Sequence, residues 1–312
     1  MLQWALLGAG TAAALGGVAA ALSLKYSGRK QTLSQEKYRV KAQRLAVQSG
    51  NKNLWGKLLV PQAKEKVPLV ICAHGYTANY HTTETLVGRT LAQSGIACYC
   101  FDFYGGGPHS KSGGSMMEMT PLTEKEELLD VIESVVKLEL VDKDNVFLFG
   151  ESMGGLVTAL AANETSANIR GVVLYYPAFP IPEFAREFAK TGRPESWPGM
   201  TWSGASAGAD AGELPETFAV SGKRLSRRFI TDTMSIHVYE DIREFDRPVL
   251  IVHRDADSAI DISYGRRAAE CYPHAQFVRL EHEPHGFTGK GKMRAVRHVY
   301  EFIQNNASLK PT

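Results

Sequence analysis

The stretch that decides the fold reads Val146-Phe147-Leu148-Phe149-Gly150-Glu151-Ser152-Met153-Gly154-Gly155-Leu156, an apolar run that ends at a serine held between glycines. Positions 150–154 match the G-x-S-x-G pattern of a nucleophile elbow, in which a serine lies on a sharp turn between a strand and a helix. The backbone of such a serine is strained, and the chain two residues before and after it passes so close that a Cβ atom would collide. Glycine at both positions relieves the collision.

The residues around this pattern separate a functional elbow from an ordinary glycine-rich turn. A five-residue match can arise by chance in a chain of 312 residues with 29 glycines. Here a β-branched and aromatic run at 146–149 precedes the serine, and helix-forming residues at 156–162 follow it. We therefore interpret Ser152 as a nucleophile between a strand and a helix.

The composition is typical of a soluble globular enzyme. With 44% hydrophobic and 22% charged residues, the chain is long enough for one large α/β domain with a buried core. A net charge of +2 gives no reason to expect a nucleic-acid partner. No metal-ligand spacing joins the four cysteines, and three of them lie in apolar, strand-like runs. We expect Cys72, Cys98 and Cys100 to be buried free thiols, which favours a reducing compartment.

Residues 1–36 are predicted to form an N-terminal anchor and linker. Leu2 to Leu24 carries no charged side chain and has about the length that spans a bilayer. Basic residues follow it at positions 25–30, so the positive-inside rule places the rest of the chain in the cytoplasm. The alternatives are a signal cleaved near residues 19–21, which would make the protein secreted, and a soluble apolar helix.

Strands and helices alternate along the catalytic domain, residues 37–312. The predicted strands are Tyr38 to Val47, Asn53 to Val60, Pro68 to Ala73, Ile96 to Phe101, Val146 to Phe149, Ile169 to Tyr176, Pro248 to His253 and Gln276 to Leu280. The predicted helices are Thr82 to Ser94, which Gly95 is expected to end, Leu122 to Leu140, the segment after the elbow, Ser263 to Tyr272 and Lys292 to Gln304. The first two strands are expected to pair as an antiparallel hairpin at a sheet edge, with the turn at Ser49-Gly50-Asn51. The remaining alternation requires parallel strands with right-handed crossovers, hence an α/β fold with a doubly wound, mostly parallel sheet.

Two local features complete the prediction. Thr123 and Glu126 are predicted to cap the helix from Leu122. Residues 178–246, the lid insertion, are predicted to be irregular, apart from a hairpin over Thr217 to Ile230 that turns at residues 221–222. The aromatic residues of this insertion look exposed and could meet a lipid surface, but we expect them to form the lining and core of the pocket. They are Phe184, Phe188, Trp197, Trp202, Phe218, Phe229 and Tyr239.

A candidate base follows the last predicted strand. A serine hydroxyl is a weak nucleophile, so it needs a base within reach and a third group that orients the base. His285 lies in a loop where Gly286 leaves room beside the imidazole. His282 is the rival, but it lies where the strand is only just ending. The alternative for His285 is a solvated loop histidine.

A candidate acid lies between the serine and the histidine, in the order expected for this fold. Asp257 follows the apolar strand that ends at His253. Asp255 is chemically identical, and either carboxylate could instead stabilise a turn. We prefer Asp257 because Ile260 can pack its loop against the core.

An oxyanion hole needs two backbone N–H donors, one just after the nucleophile and one from the loop after an earlier strand. These donors map to Met153 and Tyr76, and Gly75 lets the backbone approach. Met153 also starts a helix, whose dipole favours negative charge. The alternative for Tyr76 is a packing aromatic.

Together these motifs resemble the α/β-hydrolase superfamily, and most closely its bacterial cinnamoyl/feruloyl-esterase-like and monoacylglycerol-lipase-like carboxylesterases. The resemblance covers residues 54–303. The motifs that carry it are His74-Gly75-Tyr76-Thr77-Ala78-Asn79, Asp102-Phe103-Tyr104-Gly105, Gly150-Glu151-Ser152-Met153-Gly154-Gly155, Tyr239-Glu240-Asp241-Ile242, Pro248 to His253, Asp257 and His285-Gly286-Phe287.

The resemblance implies a triad of Ser152, Asp257 and His285, with oxyanion donors at Tyr76 and Met153. It implies a serine carboxylesterase that cleaves small or medium acyl or aryl-acyl esters through an acyl-enzyme, without metal or organic cofactor. The insertion at 178–246 occupies the place of the family's lid. The chain departs from the family's usual His-Gly at His253-Arg254, from Asp-Pro at Asp257-Ser258 and from Gly-His-Gly-x-Ser at residues 105–110.

Other functions share this fold. A serine peptidase, a lipase or a thioesterase would use the same triad. A non-catalytic binding protein of the same fold is the alternative from another class, but such proteins typically lose a triad member. No candidate member is missing from this sequence.

Overall fold

The structure is a computed structural model that describes residues 37–191, 202–203, 214–281 and 285–308. Within these ranges, no helix is both long and apolar enough to cross a bilayer. The predicted anchor and linker at 1–36, the side chains of Trp197 and Trp202, and the rival base His282 lie outside the described residues and side chains. The expectations for them stay predictions.

Strands and helices alternate along the described chain, as the sequence predicts. The strands are β1 (Val40–Arg44), β2 (Val47–Ser49), β3 (Lys52–Leu54), β4 (Gly56–Pro61), β5 (Val67–Ala73), β6 (Ala97–Phe101), β7 (Val141–Glu151), β8 (Ile169–Tyr175), β9 (Trp202–Ser203), β10 (Thr217–Val220), β11 (Lys223–Ser226), β12 (Val249–Arg254) and β13 (Ala275–Leu280). The helices are α1 (Tyr80–Thr83), α2 (Arg89–Gln93), α3 (Pro121–Val135), α4 (Met153–Glu164), α5 (Ile181–Thr191), α6 (Arg227–Met234), α7 (Val238–Asp241), α8 (Ile262–Cys271) and α9 (Gly289–Asn306).

Eight of the described strands form one sheet, in the order β1-β4-β6-β5-β7-β8-β12-β13, while β9 to β11 form a sheet of three and β2 pairs with β3. Strand β4 pairs antiparallel with both β1 and β6, and every later neighbour pairs in parallel. From β5 the order runs to β6 on one side and to β7, β8, β12 and β13 on the other. Right-handed crossovers then place helices on both faces, which confirms the α/β-hydrolase fold with a doubly wound, mostly parallel sheet.

The predicted edge hairpin is present, but it is divided into two ladders. β1 pairs with β4 from Val40 opposite Pro61 to Arg44 opposite Lys57. Beyond a break, β2 pairs with β3 around Gly50, which has a φ of 54°. The turn therefore lies where the sequence places it, and the edge position of β1 is confirmed.

The helix predicted over Thr82 to Ser94 is interrupted by a π-helical turn at Glu84–Gly88, which joins α1 to α2. Asn79 begins α1, and its side chain accepts a hydrogen bond from the His81 N–H at 2.9 Å. Gly95 follows α2 with a φ of 91°. The predicted glycine end is therefore confirmed.

The boundaries predicted for α3 were wrong at both ends. Thr120, not Thr123, is the N-cap, and the two threonines form a reciprocal capping box with Pro121 at the first helical position. The helix ends at Val135 because the chain must already turn toward the sheet, where Leu140 accepts a hydrogen bond from the Val67 N–H at 3.0 Å.

The lid insertion at 178–246 is more regular than predicted. It contains α5, the hairpin of β10 and β11, then α6 and α7, and the hairpin turns at residues 221–222 as predicted. The prediction extended this hairpin to Ile230, but the chain becomes helical at Arg227. In elements this short, too few apolar residues recur at helix or strand spacing for the pattern to be recognised in the sequence.

The lid aromatics whose side chains are described lie in the core of the insertion, as expected: Phe184 is partly buried and the others are buried. The buried ones are Phe188, Phe218, Phe229 and Tyr239. The ring centroid of Phe218 lies 5.6 Å from that of Phe188 and 6.2 Å from that of Phe229, so these rings form the core of the insertion. The prediction of free thiols was correct: Cys72, Cys98 and Cys100 are buried and unpaired.

Candidate active site

Ser152 occupies the turn that the sequence predicts. It lies between β7, which ends at Glu151, and α4, which begins at Met153, and its φ of 52° is a left-handed value that non-glycine residues rarely adopt. A Cβ atom at Gly150 would meet the backbone of Gly154, and one at Gly154 would lie 2.8 Å from the carbonyl carbon of Ala73. Both glycines are therefore required by close backbone approach.

Asp257 lies just beyond the C-terminal end of β12 in a tight loop. Its Oδ1 atom accepts hydrogen bonds from the backbone N–H groups of Ala259 at 2.8 Å and Ile260 at 2.9 Å. Ile260 is buried, so it fixes the loop against the core as predicted. The carboxylate of Asp257 is thereby held in one orientation.

This carboxylate faces His285. The Nδ1 atom of His285 lies 2.9 Å from both Asp257 oxygens. Arg254 contacts the same carboxylate: it donates from Nη2 to Oδ1 at 3.2 Å, and its Nε lies 3.1 Å from Oδ2. Burial would raise the pKa of Asp257, but the hydrogen bonds from His285 and Arg254 outweigh it and hold the pKa well below its usual value. Asp257 is therefore ionised and suited to orient the imidazole.

The rival acid is engaged elsewhere. Asp255 accepts a hydrogen bond from Arg279 Nη2 at 3.0 Å, and its backbone N–H donates to the Leu280 carbonyl on β13. Of the two aspartates, Asp257 is the one that lies within hydrogen-bonding distance of His285.

The loop after β5 passes directly beside the nucleophile. A Cβ atom at Gly75 would lie 3.0 Å from Ser152 Cβ and 3.6 Å from its Oγ. Within the described chain, the backbone N–H groups of Tyr76 and Met153 donate to no acceptor. The Tyr76 hydroxyl donates to the Val220 carbonyl of the lid hairpin at 3.1 Å. The backbone of Tyr76 is thus available for an anion while its side chain reaches the lid.

Ser152 and His285 both contact the chain that follows β8, at residues 175–178. The Ser152 carbonyl accepts from the Ala178 N–H at 2.9 Å, its N–H donates to the Tyr175 carbonyl at 3.0 Å, and the Tyr176 ring lies 4.6 Å from the imidazole of His285. Among the described residues, Ser152 Oγ makes no hydrogen bond to His285. Such bonds are often long without substrate and tighten when it binds.

Several residues of the site were not singled out from the sequence. Arg254 was noted only as a departure from the family pattern, although a buried arginine next to an acid loop is itself a signal. Glu151 is a charged residue at the end of an apolar run, which predicts a specific partner. Neither Tyr176 nor the contacts of His74 could be recognised from a local pattern.

His74 joins the loop of Gly75 to the loop after β6. Its Nδ1 lies 2.9 Å from the Gly75 carbonyl, and its Nε2 accepts from the Phe103 N–H at 3.2 Å. Burial lowers the pKa of His74, so the ring is neutral and can donate on one side while it accepts on the other. Both hydrogen bonds are to backbone groups, so His74 holds the loop after β5 against the loop after β6.

The chain is similar to several known proteins. Est1E from Butyrivibrio proteoclasticus, in a structure with bound ferulic acid, is 26% identical, with a TM-score of 0.71 over 84% of this chain and 98% of that one. The esterase domain of a Rhodothermus marinus protein shares the fold, with 16% identity and a TM-score of 0.59 over 85% of this chain and 98% of that chain. An uncharacterized 31.7 kDa protein from the traX-finO intergenic region of Escherichia coli is 29% identical over 96 residues. That match spans 31% of this chain and only 32% of the relative's length.

The family comparison covers far more of the sequence. The model of the family Hydrolase_4, described as serine aminopeptidase, S33, matches residues 64–287. This range includes the elbow, the acid loop, the lid insertion and His285. The chain therefore belongs to the Hydrolase_4 family of α/β-hydrolases.

Proposed function

We propose that this hydrolase is a serine carboxylesterase that cleaves small or medium acyl or aryl-acyl esters. Ser152 is the nucleophile, His285 the general base, Asp257 the residue that orients the base, and the N–H groups of Tyr76 and Met153 are the oxyanion donors. The observation that carries the proposal is the hydrogen bond between His285 and the buried, ionised Asp257. Asp257 follows the C-terminal end of β12, and the Ser152 elbow follows the C-terminal end of β7 in the same sheet.

The geometry supports a two-step reaction. Asp257 accepts the Nδ1–H of His285, which leaves Nε2 free to take the proton from Ser152 Oγ as the oxygen attacks the ester carbonyl. The negative oxygen that forms is held by the two backbone donors, which have no other acceptor among the described residues. Protonated His285 then gives its proton to the leaving alcohol. Water, activated by the same histidine, releases the acid from Ser152.

The acyl group is proposed from the resemblance to Est1E, whose structure contains ferulic acid. We expect p-nitrophenyl acetate and butyrate to be hydrolysed, and methyl ferulate to be tested beside them. The matched control is Ser152→Ala, which should retain the melting temperature and lose ester turnover. Turnover by Ser152→Ala equal to that of the wild type would refute the proposal.

A serine peptidase is the second candidate, because the family is described as serine aminopeptidase, S33. An amide requires protonation of a poorer leaving group, which the same triad can supply. Comparing kcat/KM for an aminoacyl p-nitroanilide with that for the matching aminoacyl ester decides between the two. Faster turnover of the anilide would favour the peptidase.

A non-catalytic binding protein is the alternative from another class. It is disfavoured because all three candidate triad residues are present and the acid and base are paired. Failure of the wild-type protein to react with a fluorophosphonate would favour it.

A further inference from the structure

The side chain of Glu151, the residue before the candidate nucleophile, contacts two parts of the site at once. It is buried, with only 5% of its surface exposed. Its Oε2 accepts the Tyr176 hydroxyl at 2.8 Å, and its Oε1 accepts the Gly75 N–H at a longer 3.4 Å. Gly75 precedes the proposed oxyanion donor, and Tyr176 lies against the proposed base.

Tyr176 is held in an unusual conformation. It follows β8 with a φ of 35°, a left-handed value that disfavours bulky side chains, and its N–H donates to the Val252 carbonyl on β12 at 2.9 Å. Its ring centroid lies 4.6 Å from that of His285 and 5.1 Å from that of Phe287. Because its backbone is fixed, Tyr176 holds its ring in one position, and the imidazole of His285 packs against that ring.

Packing alone does not explain a glutamate at position 151. A buried carboxyl is unfavourable unless its oxygens are hydrogen-bonded, and an apolar side chain would fill the same space without that penalty. Burial raises the pKa of Glu151, and the hydrogen bonds from Tyr176 and the Gly75 N–H offset part of this effect. No lysine or arginine is among the groups that affect Glu151. Its described partners all belong to the candidate site.

We propose that Glu151 is a positioning residue that sets the distance between the oxyanion loop and His285, through its hydrogen bonds to Gly75 and Tyr176. This inference rests on the proposed function of Ser152 and His285. Glu151 does not contact the substrate. It fixes Gly75 on one side and the tyrosine behind the imidazole on the other.

The test compares substitutions that keep or remove these hydrogen bonds. Glu151→Gln retains a polar group for both partners and should keep kcat for p-nitrophenyl butyrate within about threefold, whereas Glu151→Leu should lower kcat by about tenfold to a hundredfold with little change in KM. Tyr176→Phe removes one of the two bonds and should give an intermediate loss. Equal losses in Glu151→Gln and Glu151→Leu, or no loss in Glu151→Leu, would overturn the inference.

A matched control is available on α3. Glu127 is also buried and accepts hydrogen bonds from Lys52 Nζ at 2.7 Å and the Tyr104 N–H at 2.8 Å, outside the candidate triad and oxyanion loop. Glu127→Leu should lower the melting temperature and leave kcat of the folded protein within about twofold, since no triad group is moved. A loss of kcat equal to that of Glu151→Leu would mean that any buried glutamate has this effect.

Crystal structures of the variants separate this inference from the proposed function. We expect Gly75 and the His285 ring to shift in Glu151→Leu and to stay in place in Glu151→Gln, whether or not any ester is hydrolysed. A wild type without ester turnover would refute the function alone. Unchanged positions in Glu151→Leu would refute the inference alone.

Discussion

Arg254 contacts both carboxylate oxygens of Asp257, with Nη2 3.2 Å from Oδ1 and Nε 3.1 Å from Oδ2. Both groups are buried, so the contact is little screened by water. Arg254 and His285 thus both contact the same acid. We infer that the arginine anchors the acid loop in this chain.

Replacing this arginine should destabilise the protein strongly. Arg254→Met leaves Asp257 buried without its cation, so we expect the free energy of unfolding to fall by about 3 kcal/mol. Arg279→Met is the matched control, because Arg279 is half exposed and pairs with Asp255, and such pairs contribute about 1 kcal/mol or less. Urea denaturation measures both variants. Equal decreases in the free energy of unfolding would show that the buried ion pair of Arg254 stabilises the fold no more than the exposed pair of Arg279.

The lowered pKa of Asp257 predicts how stability depends on pH. Because the folded-state pKa lies below the unfolded value of about 3.9, this carboxylate stabilises the fold above that pH and loses its contribution as pH falls toward the folded-state pKa. The difference in unfolding free energy between wild type and Asp257→Asn should therefore be constant from about pH 5 to 7 and shrink below about pH 4. A difference that grows on acidification would contradict the assignment.

Gly75 should tolerate no side chain without loss of activity. A methyl group there would lie 3.0 Å from Ser152 Cβ and 3.3 Å from the Glu151 carbonyl oxygen, so Gly75→Ala must displace the loop or the serine. We expect kcat for p-nitrophenyl butyrate to fall by about tenfold, because the oxyanion loop or the serine must shift by a few tenths of an ångström. Circular dichroism should show an intact fold. Full activity would mean that this loop does not act in catalysis.

The side chain and the backbone of Tyr76 should have separable roles. Tyr76→Phe keeps the N–H proposed for the oxyanion and removes the hydroxyl that binds Val220 of the lid. We expect kcat to stay within about threefold, while stability falls by about 1 kcal/mol for the lost hydrogen bond. Steady-state kinetics and thermal unfolding measure these effects. A hundredfold fall in kcat would show that the hydroxyl itself takes part in the reaction.

Local patterns predicted the parts of the fold that depend on neighbouring residues. The elbow glycines, the glycine after α2 and the alternation of strands and helices follow from sterics and periodicity that a sequence displays directly. The acid was chosen between Asp255 and Asp257 from the apolar Ile260, and the structure pairs Asp257 with His285. The catalytic roles themselves stay predictions until they are measured.

Other features depend on contacts between distant parts of the chain. The cap of α3 was misplaced by three residues, at Thr123 instead of Thr120, because the capping box is formed by two threonines and not by a threonine and a glutamate. The lid aromatics look exposed in the sequence, and it is their packing on one another that buries them. Tyr176 joins the site only because β8 lies between β7 and β12. No pattern local to Tyr176 indicates this role.

Covalent labelling of Ser152 tests the central claim most directly. A fluorophosphonate reacts only with a serine that a nearby base activates, so incubation followed by intact-mass analysis and peptide mapping locates the nucleophile. We predict one adduct, on Ser152, that is absent in Ser152→Ala and forms at least about a hundredfold more slowly in His285→Ala, since the base is lost. An unlabelled wild-type protein, or an adduct that persists in Ser152→Ala, would contradict the account.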